Sequence, residues 1–177
     1  MNMTNEQADY LLKLPKKIVK EDKLCTKLII EQKFPFYERF ELVSETDDEF
    51  SFLWKIQQSA KNTIRISLHF QEDDRKTGLL RIDFNGGHTN PEIINEYLPE
   101  KFRSYAGKVF SNTESHVHYH VQGYKSLAWA IPLTDDTFEI KAIDEKNLNS
   151  SFADIIKSFA KTINIETVIT THTLLNI

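Results

Sequence analysis

Between Leu28 and Phe84, apolar and polar residues alternate with a period of two, and short polar connectors interrupt the alternation. Successive side chains of a strand point to opposite faces, so this stretch reads as antiparallel strands with one dry and one wet side. The strands are predicted at residues 28–34, 37–43, 50–57, 63–70 and 78–84, joined as a meander. Phe50, Phe52, Trp54 and Ile56 share one face, as do Ile64, Ile66, Leu68 and Phe70, and then Leu80, Ile82 and Phe84. Aligning these dry faces pairs Trp54 with Ile66, Phe52 with Leu68, and Leu68 with Ile82. On the wet face, Glu41, Ser51, His69 and Arg81 then form one row, and Arg39, Leu53, Ser67 and Asp83 the next. Such mixed charge is what complementary cross-strand pairs produce.

The flanks read as helices. Thr4 and Gln7 can form a capping box, and Tyr10, Leu11, Leu14 and Ile18 follow at helical spacing until Pro15 breaks the helix near Leu14. Phe152, Ile155, Ile156 and Phe159 form the apolar stripe of a helix over 150–162. Residues 88–107 read as a loop and helical region, with Pro91 at a first helical position behind Thr89 or Asn90 as cap. Further strands are expected at the histidine segment, at 127–132 and at 137–143, the last two joined by a turn at 133–136. Residues 166–177 suit a strand or a tail. The expected fold is α+β, a single domain over 1–177. Its mainly antiparallel sheet has about seven or eight strands, open or curled into a partly open barrel, with N- and C-terminal helices packed on it.

His116-Val117-His118-Tyr119-His120 carries the most specific chemistry: three of the six histidines at two-residue spacing. On a strand all three share one face, with Val117, Tyr119 and Val121 on the other. Same-face neighbours lie about 7 Å apart and the outer pair about 13 Å. Metal–nitrogen bonds are only about 2.0–2.1 Å long, so two adjacent histidines can share an ion but three on a straight strand cannot. A metal therefore needs His116 with His118, or His118 with His120, plus a third ligand from His69, Asp83, His88 or Glu114. Asp83, His118 and Arg81 are the catalytic candidates, and Lys55, Arg65, His69, Arg81, Tyr124 and Lys125 the candidates for contacting a partner or substrate. The competing reading of each is structural: a hydrogen-bonded strand face, a capped turn at Gly86-Gly87, a core position for Trp129. Gly86-Gly87 matches no phosphate-loop or dinucleotide-binding fingerprint.

Composition narrows the field. With 26 acidic and 22 basic residues the net charge is −4, which argues against a broad nucleic-acid-binding surface while leaving room for a local basic patch. Cys25 is the single cysteine, so neither an intramolecular disulfide nor a cysteine zinc site can form, and it suits a small semi-buried apolar position. The polar N-terminus and the lack of a long apolar run predict a cytoplasmic protein with no membrane contact.

Leu79-Leu80-Arg81-Ile82-Asp83-Phe84, His88-Thr89-Asn90-Pro91, His116-x-His118 and the stretch from Gly123-Tyr124-Lys125 to Trp129-Ala130-Ile131-Pro132-Leu133 resemble a family of small bacterial and phage proteins of unknown function. The resemblance implies a mobile-element setting of defence, counter-defence or toxin–antitoxin type, and carries over no catalytic residues.

Two functions follow as expectations. The first is a non-enzymatic binding or regulatory protein, an inhibitor or accessory factor, without cofactor and with a protein or ribonucleoprotein partner. The alternative is a metal-dependent hydrolase, a ribonuclease or phosphoesterase, using a divalent ion on the histidine strand with Arg81 and Lys55 against phosphate; a metal-free ribonuclease with His118 as general base is its variant.

Overall fold

The computed structural model describes residues 3–173. Helix α1 (Asn5–Lys13) starts at the capping box: the Thr4 hydroxyl accepts from Gln7 N at 3.1 Å, and Gln7 Oε1 accepts from Thr4 N at 3.0 Å. Leu14 caps its end. The strands then run β1 (Lys17–Lys20), β2 (Lys23–Leu24), β3 (Lys27–Gln32), β4 (Tyr37–Val43), β5 (Ser51–Gln58), β6 (Ile66–Glu72), β7 (Thr77–Phe84) and β8 (His88–Thr89). A single turn of helix, α2 (Glu100–Arg103), leads to β9 (Val109–Phe110), β10 (His116–Tyr119) and β11 (Trp129–Pro132). Helix α3 (Leu148–Thr162) and β12 (Val168–Thr173) complete the described chain.

Eight strands form one antiparallel sheet in the order β11-β10-β7-β6-β5-β4-β1-β2. The sheet is open, with β11 and β2 as its edges, and does not close into a barrel. Its dry face carries Phe52, Trp54, Leu68, Phe70, Ile82 and Phe84, packed in one core with Leu11 of α1 and Phe152, Ile155, Ile156 and Phe159 of α3. Trp54 stacks on Phe159 with ring centroids 5.9 Å apart. Burying each such side chain contributes about 1.5–3 kcal/mol, so the aromatic alternation and the amphipathic helix need each other.

Four expectations change. The segment at 28–34 does form a strand, but β3 leaves the meander and pairs in parallel with β12. The parallel bridge between Lys16 and Ile165 brings that late segment alongside. No strand forms at 137–143. A 3-10 turn at Leu133–Asp135 redirects the chain, Asp136 Oδ1 accepts from Phe138 N at 2.9 Å, and Phe138 drops into the core. No helix starts at Pro91, because Asn90 is buried as a clamp: it donates to the carbonyls of Tyr105 and Ala130 and accepts from Ala130 N.

The fourth change is register. Leu68 lies opposite Ile82 as expected, but Trp54 lies opposite Phe70 and Phe52 opposite Glu72, a slip of four residues along β6. The connector is longer than read: Ser59 N donates to Arg65 O and Arg65 N to Asn62 O, holding residues 59–65 as a turn. Alternation is blind to even-numbered slips. The wet face is consequently regrouped. One row across the strands reads Arg39, Lys55, His69, Arg81, His118; the next reads Tyr37, Gln57, Ser67, Asp83, His116.

Beneath the dry face lies Lys16, fully buried. Its ammonium donates to the carbonyls of Leu12, Leu14 and Ile163 at 3.1, 2.7 and 3.0 Å, and sits 5.1 Å from the ring centres of both Phe52 and Phe70. Leu14 and Ile163 end α1 and α3, where free carbonyls and the helix dipole attract a cation. Burial still pulls this amine down to about 7.

Candidate metal centre

The inserted strand β10 lies between β7 and β11, which sets His116 opposite Asp83 and His118 opposite Arg81. Both imidazoles have fully buried side chains, against 15% exposure for Asp83 and 31% for Arg81. Asp83 Oδ2 lies 3.2 Å from His118 Nε2 and 3.6 Å from His116 Nε2. One ligand atom from each of these three residues falls within 4.8 Å of the others.

Main-chain carbonyls decide where the ring protons sit. His118 Nδ1 donates to Leu127 O at 3.0 Å, and His116 Nδ1 donates to Glu114 O at 3.2 Å. A neutral imidazole has one N–H, so each ring turns a bare Nε2 towards Asp83. Neutrality follows from burial, which pushes His118 down to about 4 and also lowers His116. Burial works against the charge of Asp83 as well, yet the His118 imidazole, with Nε2 3.2 Å from Oδ2, and then the Arg81 guanidinium, with Nε 2.9 Å from Oδ2, hold its carboxyl well below the usual carboxylate range. Three acceptors thus converge on one point, a geometry that only positive charge stabilises. Arg81 supplies part of it, with Nη2 donating to His118 Nε2 at 2.8 Å. His116 Nε2 is buried with no hydrogen-bond partner.

His88 joins this group from outside the sheet. The ribbon of β8 and β9 places its ring 4.5 Å from that of His118 and 5.8 Å from that of His116. Its Nε2–H is shared between Asn90 Oδ1 and Ala128 O, each at 3.0 Å, which leaves Nδ1 as an acceptor. Burial lowers its basicity too. Imidazoles that donate one N–H to a carbonyl and present the other nitrogen bare have the usual arrangement of metal-ligating histidines. Two nitrogens and a carboxylate oxygen, from Asp83, His116 and His118, suit zinc, manganese or iron; the His88 ring packs beside them.

Asp83 and Arg81 also line a cleft of about 700 Å³. Its wall also includes Tyr37, Lys61, Arg65, Ser67, Gly86 and Gly87. A Cβ on Gly86 would lie 3.1 Å from Asp83 Cβ, so the turn lets backbone approach the carboxylate.

Other candidates lie apart from the cluster. His69 neighbours Arg81 in the basic row, but its Nε2 donates to Gln71 Oε1 at 3.0 Å. His120 lies beyond the end of β10; it donates from Nε2 to Met3 O and lines a different cleft with Tyr124. Tyr124 donates to Ile93 O and accepts from Asn95 N, and Lys125 is exposed. Glu114 contributes its carbonyl, while its carboxylate accepts from Ser111 N and Lys108. Lys55 lies within the basic row and Arg65 at the rim of the cleft. The carbonyls of Leu127, Glu114 and Ala128 escape sequence reading, since every residue has one; the left-handed backbone of Leu127, with φ 54°, has no signal in a leucine.

A family model described as a family of unknown function, DUF6978, matches residues 3–165. The chain belongs to that family. No curated protein and no solved structure matches it. The match spans every ligand candidate of the centre and stops short of β12. Among the described residues no helix is long and apolar enough to cross a membrane.

Proposed function

We propose that the protein is a metal-dependent hydrolase of phosphate esters, with a divalent ion held by Asp83, His116 and His118. The observation that carries this reading is the convergence of three acceptor atoms, two of them on imidazoles whose tautomers are preset by carbonyls and the third on Asp83, which lines an open cleft. Such an ion would lower the pKa of a bound water and polarise the ester. Arg81 occupies part of the same acceptor set and lines the cleft, where its guanidinium would neutralise phosphate if an ion took its place on that set. Complete burial of His116 and His118 favours ligands over a metal-free general base, which must reach substrate. A purely structural or partner-binding role would leave His116 Nε2 buried without a hydrogen-bond partner.

The test is elemental mass spectrometry and phosphodiesterase turnover on untagged protein, for wild type, His118→Gln and Asp83→Asn. Near one equivalent of zinc, manganese or iron, with metal and turnover lost together in both variants, supports the reading. Folded wild type that takes up no metal from supplemented buffer sinks it, and partner capture becomes the next experiment.

A further inference from the structure

The regrouped wet face holds a feature that the metal centre does not use. Arg39 lies directly opposite Lys55, and the row continues through His69 to Arg81. Like charges directly opposite across strands are destabilising, so this row persists against its own repulsion. Among the described residues neither Arg39 nor Lys55 makes a salt bridge, nor do Lys61 and Arg65 on the cleft rim. The nearby acids are Glu41 one row away, Asp73, whose charge is felt by Arg39, and Asp83 at the centre. On a chain of net charge −4, five cations are thus gathered on one face.

The adjacent row supplies a different chemistry. Tyr37 is 55% exposed, on the same face as the basic row, and Gln57 and Ser67 lie between it and Asp83. At about 4.8 Å per strand, Tyr37 stands roughly 14 Å from Asp83. Phe34, 56% exposed, is nearby in sequence. A cleft of about 700 Å³ is far larger than one phosphate needs.

We propose that this face binds single-stranded nucleic acid running across the strands, its phosphates along Arg39, Lys55 and Arg81, a base stacked on Tyr37, and a phosphodiester delivered to Asp83. A row of cations beside an exposed aromatic is the combination that tracks a single-stranded backbone while tolerating sequence. A duplex presents no free base face to Tyr37. The role as substrate rests on the hydrolase reading; the binding does not.

Binding is measured by fluorescence anisotropy with labelled ten-nucleotide RNA and DNA, on protein as purified and after chelation, across a salt series. Single strands are expected to bind with and without metal, and better than a duplex of the same sequence. Lys55→Gln and Arg65→Gln should each weaken binding about tenfold and flatten the salt slope by about one. Tyr37→Ala should weaken it about tenfold at unchanged salt slope and unchanged metal content. Equal affinity for duplex, or affinity unmoved by all three variants, overturns the proposal, as does preference for phosphopeptides over oligonucleotides. If oligonucleotides bind but no metal does, the hydrolase reading alone falls. If metal binds but oligonucleotides do not, this proposal alone falls, and small phosphomonoesters become the substrates to try.

Discussion

Lys16 and Asp83 both carry charge deep in the protein, yet they are built in opposite ways. Three carbonyls and two ring faces surround the Lys16 ammonium, all of them attractive to a cation, and nothing reaches it from solvent. Around Asp83 the nearest nitrogens of His116 and His118 are acceptors like itself, and one side is open to a cleft. The first arrangement is satisfied as it stands; in the second, Arg81 meets part of the acceptor set and His116 Nε2 is left without a partner. Burial of charge is common to both, so burial alone does not identify a site. The difference lies in how much of the shell has the complementary sign: all of it around Lys16, and only Arg81 around Asp83.

Breaking the satisfied shell should have the largest effect. Lys16→Met strands three buried carbonyls and should lower unfolding free energy by about 3–5 kcal/mol, read by urea denaturation, without altering metal content of the folded fraction. The same residue sets a pH dependence. Its folded-state value near 7 lies below the ordinary 10.5, so between these values the unfolded chain binds more protons and stability rises with pH. Wild type should gain about 2 kcal/mol between pH 7 and 9 relative to Lys16→Met, and lose it as pH falls back towards 7.

Completing the incomplete shell comes next. A metal at one hundred times its dissociation constant should stabilise wild type by about 2.7 kcal/mol, seen as a rise in melting temperature that Asp83→Asn abolishes. Removing the competing cation sharpens the contrast further: Arg81→Gln should bind metal about tenfold more tightly, since no guanidinium holds the His118 lone pair, while losing turnover. Calorimetric titration on chelated protein decides this, and weaker metal binding in Arg81→Gln would show that the guanidinium is a support and not a competitor. The smallest effect is remote. A Cβ at Gly78 would meet Leu127 Cδ1 at 2.6 Å, and the Leu127 carbonyl orients His118. Gly78→Ala should therefore weaken metal binding several-fold with turnover of the loaded enzyme retained.

The sequence makes the architecture readable wherever one residue type has one use. Phe52, Trp54, Leu68 and Ile82 could only face a core, and Thr4 with Gln7 could only begin a helix. Register is legible where the connector is tight, between Leu68 and Ile82, and not across residues 59–65, because alternation survives any even slip. That slip hid the basic row, which looked like alternating charge. The histidine pair and Asp83 stood out as residue types, but their convergence depends on β10 inserting beside β7, a long-range pairing that local pattern does not encode. The approach of His88 depends on a two-residue ribbon, and the proton positions depend on carbonyls that any residue offers.

The insertion of β10 has one more consequence. Strands β4 to β7 follow one another in sequence and neighbour one another in space, so they can zip together from local contacts; β10 and β11 must return across some thirty residues to extend that sheet. Asp83 belongs to the early block and both histidines to the late one. An ion between them would fasten a hairpin brought in by long-range pairing to the locally connected block of the sheet, so that the site would exist only where that pairing is made.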